Sequence, residues 1–193
     1  MARGKQLGRR LARAVAAGWM VMAGAAAAQQ EPREGREVSS DLDGDGVAET
    51  FTLRLTEENI ALLDVTEGDA PVRTFYDVAW SGASPGTLPS LELAPNGSLR
   101  ILSANESIGR ERWRLALTIA YRDGHYRVAG ITYDWYDTLD LSAGGTCDVN
   151  LLTGSGTVEI GPQRGEITAL GGAPRLMDWR AEAGREGAIC GLW

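Results

Sequence analysis

From Arg112 to Arg122 the chain alternates without a break: Trp113, Leu115, Leu117, Ile119 and Tyr121 fall on one parity, and Arg112, Arg114, Ala116, Thr118, Ala120 and Arg122 on the other. A period of two is the mark of a strand with one buried face, and a helix cannot satisfy it. Asp123-Gly124 follows, a pair that favours the two-residue turn between antiparallel strands. Folding back about it pairs Tyr121 with Tyr126, Ile119 with Val128 and Leu117 with Gly130. The aliphatic face is then core and the arginine face lies in water or against an acidic surface.

The rest of the chain repeats this pattern in shorter units. Apolar and β-branched runs at 51–55, 60–65, 72–80, 147–152, 157–160 and 166–170 are bounded by Gly, Pro, Asn and Asp, the punctuation of strands and turns. At Pro95-Asn96-Gly97 a three-residue loop sets Leu93 opposite Leu99 and Leu91 opposite Ile101 on one face, whereas a two-residue Asn-Gly turn mixes the faces. Pro174 to Ala183 reads as a short helix carrying Leu176, Met177 and Trp179. The expected fold is all-β: a single antiparallel domain of consecutive hairpins over residues 41–193, a small sandwich or partly open barrel, ending in that helix.

Chemistry is densest at Asp41-Leu42-Asp43-Gly44-Asp45-Gly46-Val47-Ala48-Glu49. Carboxylates on alternate positions, with glycines that let the backbone curl, suit a hard cation, since Ca²⁺ takes six to eight oxygen ligands. The side chains of Asp41, Asp43, Asp45 and Glu49 and the carbonyl of Val47 are the expected ligands. The loop departs from an EF-hand, because Thr52 stands where a bidentate Glu is required and a strand follows in place of a helix. With an acid at the ninth position and a strand after it, the loop resembles those of integrin-type FG-GAP/VCBS repeats. That resemblance implies calcium ligation by Asp41, Asp43, Asp45 and Glu49. An acidic, Gly-rich surface turn without metal is the plainer alternative.

The chain opens with a basic head (Arg3, Lys5, Arg9, Arg10, Arg13), an apolar run from Ala14 to Ala28, and the small residues Ala26-Ala27-Ala28. This is the pattern of a cleavable signal peptide, residues 1–28, too short in its apolar run to span a bilayer. Export is expected, by the general route or, given Arg9-Arg10, the twin-arginine route, to a periplasmic or extracellular location. Residues 29–40 are polar and charged and read as a flexible leader. Without residues 1–28 the chain holds 14 arginines, no lysine and 26 acids, a net charge of −12. That balance excludes nucleic acid as a partner and opposes anionic membrane surfaces. Cys147 and Cys190 are the two cysteines, and in an oxidising compartment they most simply pair.

Catalytic signals are sparse. His125 is the single histidine and sits at a hairpin tip, a poor place for a base oriented by a buried acid. The remaining candidate is Asp134-Trp135-Tyr136-Asp137 with Asp140, where carboxylates and aromatic faces resemble in type what sugar sites use. Strand aromatics followed by loop-forming acids account for the same residues. Gly109-Arg110, Trp113, Ala120-Tyr121-Arg122-Asp123-Gly124 and Cys147-Asp148-Val149-Asn150-Leu151-Leu152-Thr153-Gly154 resemble an uncharacterised family of secreted bacterial proteins over residues 105–160, which implies export and assigns no particular activity. Two functions are therefore expected: a calcium-stabilised exported module binding a protein or glycan partner, or a small glycan-acting hydrolase using Asp134, Asp137 and Asp140.

Overall fold

The computed structural model describes Met1 and residues 35–168, 172–182 and 185–192. The chain divides into two units, Met1–Glu31 and Pro32–Trp193. The expected signal peptide, apart from Met1, and residues 29–34 lie outside the described residues. Two meanders make up the second unit. Strands β1 (Glu37–Ser40), β2 (Glu49–Leu55), β3 (Ala61–Thr66) and β4 (Arg73–Tyr76) form a four-stranded antiparallel sheet in sequence order. Strands β5 (Ser90–Leu93), β6 (Leu99–Asn105), β7 (Glu111–Arg122), β8 (His125–Asp137), β9 (Gly145–Asn150), β10 (Ser155–Ile160) and β11 (Gln163–Thr168) form a seven-stranded one, also in sequence order. The described chain is thus all-β, two antiparallel sheets packed as a sandwich and not a closed barrel.

Alternation decides what each sheet buries. On β2 and β3, Phe51, Leu53, Leu63 and Val65 point inward and meet Leu99, Ile101, Leu117, Ile119, Val128, Ile131 and Val149 of the larger sheet. Burial of these side chains out of water is the main favourable term holding the layers together. Leu91↔Ile101 and Leu93↔Leu99 pair as the three-residue loop requires.

The long hairpin departs from perfect register. Tyr121↔Tyr126 and Ile119↔Val128 pair as expected, but a bulge at Thr118/Ile119 moves Gly130 opposite Thr118 and brings Ile131 opposite Leu117. The reason lies downstream. An uninterrupted register would turn Ile131, Tyr133 and Trp135 outward, and inserting one residue restores them to the core face. Gly130 consequently faces outward and does not make the core space that its expected pairing with Leu117 implied.

Two termini differ from expectation. Glu37–Ser40, read as part of the leader, pairs with β2 from Glu37↔Thr52 to Ser40↔Glu49. One apolar residue, Val38, packs partly on the core, and an edge strand needs no more. Gly35 O also accepts from Leu91 N at 2.5 Å, so the β1 side of the small sheet joins the β5 edge of the large one. Of the helix expected over Pro174 to Ala183, whose last residue lies outside the described residues, only Leu176–Asp178 makes a 3-10 turn, and the helix α1 lies at Arg185–Ile189. The segment serves instead as a strap. Beyond the end of β9, the first residues of β8 lack a ladder partner on one side, and Val128 N donates to Pro174 O at 3.0 Å there. Ala181 N reaches Asp77 O at 2.9 Å across from β4. Leu176 and Trp179 are both 1% exposed beneath this strap.

Candidate metal centre and aromatic cleft

Glu49 is the anchor of the acidic loop. It shares inward parity with Phe51 and Leu53 on β2, and it is fully buried. A carboxylate in such a place must be hydrogen-bonded. Its Oε1 accepts from Tyr126 Oη at 2.7 Å and its Oε2 from Leu42 N at 2.7 Å. Tyr126 belongs to β8, so this one side chain ties the loop of the small sheet to the large one. Burial foremost, then the hydrogen bond to Glu49, holds the Tyr126 phenol well above its usual range, and Arg73 opposes that shift. The hydroxyl therefore stays a donor. Arg73 from β4 stands 5.0 Å over the Tyr126 ring and donates to Tyr126 Oη and Glu67 Oε2, each at 3.1 Å.

Above Glu49 the loop curls around its own carboxylates. Asp41 accepts from Gly44 N at 2.8 Å and Gly46 N at 3.1 Å, Asp43 from Asp45 N at 3.1 Å, and Asp45 from Val47 N at 2.7 Å. Gly44 and Gly46 hold φ of +81° and +94°, a conformation that strains other residues. One oxygen each from Asp41, Asp43 and Glu49 lie within 4.8 Å of one another, and so do one each from Asp43, Asp45 and Glu67. These oxygen-only groups could hold a metal ion, with Asp43 common to both. Val47, the expected carbonyl ligand, is exposed at the end of the loop.

Comparison with family models, curated proteins and solved structures finds no match for this chain.

The second expected site is brought together only in part. Asp134 and Asp137 have opposite parity on β8, so the strand's alternation turns them to opposite faces. Asp137 receives Arg110 Nε at 2.6 Å, Leu139 N at 2.8 Å and Asp140 N at 3.3 Å, and the guanidinium first, then the amide of Leu139, hold its carboxyl below the usual range. Asp140 caps the 3-10 turn Leu141–Ala143, accepting from Ser142 N at 3.1 Å and Ser142 Oγ at 2.6 Å. Tyr136 donates to Glu106 Oε2 at 2.7 Å on the outer face. Trp135 lies on the inner face beside Tyr133, their rings stacked at 5.5 Å, with Trp113 6.4 Å from Tyr133 and Trp80 5.1 Å from Trp113. Burial pushes the Tyr133 phenol up to about 12. Asp137 and Asp140 are thus engaged separately, by Arg110 and by the turn at Ser142, and Asp134 lies on the other face of β8.

Sequence reasoning missed Glu67, Tyr126 and Arg73. Only Glu49 carried a readable signal: it sits two residues before Phe51, so extending the strand backwards places it on the core face.

Proposed function

We propose that this chain is an exported β-sandwich binding module whose acidic loop takes Ca²⁺ as a structural ion. The observation that carries the reading is a fully buried carboxylate, Glu49, whose oxygen lies within 4.8 Å of those of Asp41 and Asp43. Charges so close repel unless a cation compensates them, and an all-oxygen set without His or Cys suits a hard ion. Glu67 adds an acid from the far end of β3, so an ion there would fasten loop, small sheet and, through Glu49 and Tyr126, large sheet. Export is supported by the N-terminal pattern and by the Cys147–Cys190 disulfide, a bond of oxidising compartments. Among the described residues no helix is long and apolar enough to cross a membrane. The local engagements of Asp137 and Asp140, and the opposite face of β8 taken by Asp134, weigh for binding over hydrolysis.

Thermal melts in chelator and in calcium test the ion. With free calcium a hundredfold above Kd the native state gains about 2.7 kcal/mol, which raises Tm by roughly 5–10 °C in a domain of this size. Asp43→Asn, which removes the acid shared by both oxygen groups, should abolish most of that rise. Superimposable melts from chelator to about 10 mM calcium, well above the range of extracellular modules, would sink the reading.

A further inference from the structure

Strands β7 and β8, 12 and 13 residues long, outreach β2, which has 7. At about 3.3 Å per residue the large sheet therefore extends beyond the small one. Its overhanging inner face carries Trp113, Tyr133 and Trp135, each only partly buried. They floor a cleft of about 330 Å³ that Ile160 and Leu192 wall on one side. Gly145, paired with Trp135, keeps this floor in place: a Cβ there would collide with the indole and with the Glu159 carbonyl. Tyr133 covers one face of the Trp135 ring, and the ring as a whole is only partly buried.

Two polar groups on this cleft lack partners. Arg112 Nη1 is buried without an acceptor. The Glu111 carboxylate, on an exposed residue of the cleft lining, makes no hydrogen bond or ion pair among the described residues. We propose that the cleft binds a neutral saccharide, one pyranose ring seated on Trp135. A sugar offers an apolar C–H face to the indole, and its hydroxyls donate to the Glu111 carboxylate. A cation would meet the Arg112 guanidinium and an anion the Glu111 carboxylate, so each leaves a like charge against it. The volume lies at the small end of ligand clefts, enough for one or two rings. The inference deepens the binding-module reading by giving ligand and place, and it does not depend on the ion.

Intrinsic tryptophan fluorescence and amide NMR of the calcium-saturated full chain, titrated with cellotetraose, maltotetraose, chitotetraose and a β-1,3-glucan tetraose, test it. Choline and benzoate serve as the cationic and anionic alternatives. One or more of the sugars should saturate, with shifts centred on Trp113 and Trp135 and a Kd of order millimolar. Trp135→Ala should abolish saturation, and Glu111→Gln should weaken binding about tenfold, the loss of one charge-assisted hydrogen bond, with an unchanged melt. If Trp135→Ala fails to fold, Glu111→Gln decides alone. Saturation by none of the sugars, tighter binding of choline or benzoate, or wild-type affinity in Glu111→Gln overturns the proposal. A calcium-dependent melt alongside any of these leaves the ion reading standing, and sugar binding without a calcium shift does the reverse.

Discussion

Replacing Cys147 and Cys190 by alanine is expected to lower the unfolding free energy by about 4 kcal/mol. The bond closes 43 residues of chain, and the chain-entropy model gives that value for such a loop. In Tm the loss is roughly 8–16 °C. The two ends differ in what they hold. Cys147 is fully buried on β9, in the inner row that also contains Tyr133. Cys190 follows α1, which otherwise has little of its own to anchor it: a five-residue helix is far below the length that is stable in isolation. Without the bond, α1 and Leu192 should leave the wall of the aromatic cleft before the sandwich itself unfolds. Urea denaturation of the double variant, with hydrogen exchange at α1, measures both effects. Equal midpoints for variant and wild type would mean that the strap at Leu176 and Trp179 holds the C-terminus without covalent help.

Glu49→Ala should cost about 3 kcal/mol in chelator, before any ion is considered. The change removes the acceptor of the buried Tyr126 hydroxyl and of the partly buried Leu42 amide, and each orphaned group costs about 1–3 kcal/mol. Arg73 keeps its own contacts, the Tyr126 ring and hydroxyl and the Glu67 carboxylate. Glu49→Gln separates shape from charge. The amide keeps an acceptor for one of the two donors, so the cost in chelator should fall to about half, while the calcium-dependent rise in Tm should vanish in both variants. Melts of the three proteins with and without calcium give the comparison. A calcium response retained by Glu49→Gln would show that the buried carboxylate is only a strut beneath the loop.

How much of this was legible depends on the range of the interaction. The Leu91–Ile101 hairpin and the Asp123-Gly124 turn were readable because alternation and turn chemistry act within a few residues. Asp123 and Gly124 both take positive φ, 53° and 75°, as the two-residue turn demands. The bulge was not readable at the turn, since its cause is the need to bury Ile131 and Tyr133 further along β8. Pro174 to Ala183 carried apolar residues at helical spacing, yet the unpaired stretch of β8 offered its backbone a better partner than its own turns did. Glu67 and Arg73 escaped notice for the same reason: nothing in a neighbouring triplet tells that β3 and β4 will bring them beside Asp43 and Tyr126.

The strictly sequential strand order has a kinetic consequence. Every ladder in both sheets joins neighbours along the chain, so each closes a short loop at small entropic cost, and contacts local in sequence speed folding. The links that span long distances are the packing of one sheet on the other, the Glu49–Tyr126 bond, the Gly35–Leu91 seam, the strap and the 43-residue disulfide loop. A chain emerging N-terminus first can therefore zip one hairpin after another as it appears, and the covalent closure of Cys147 must wait for Cys190, 43 residues later.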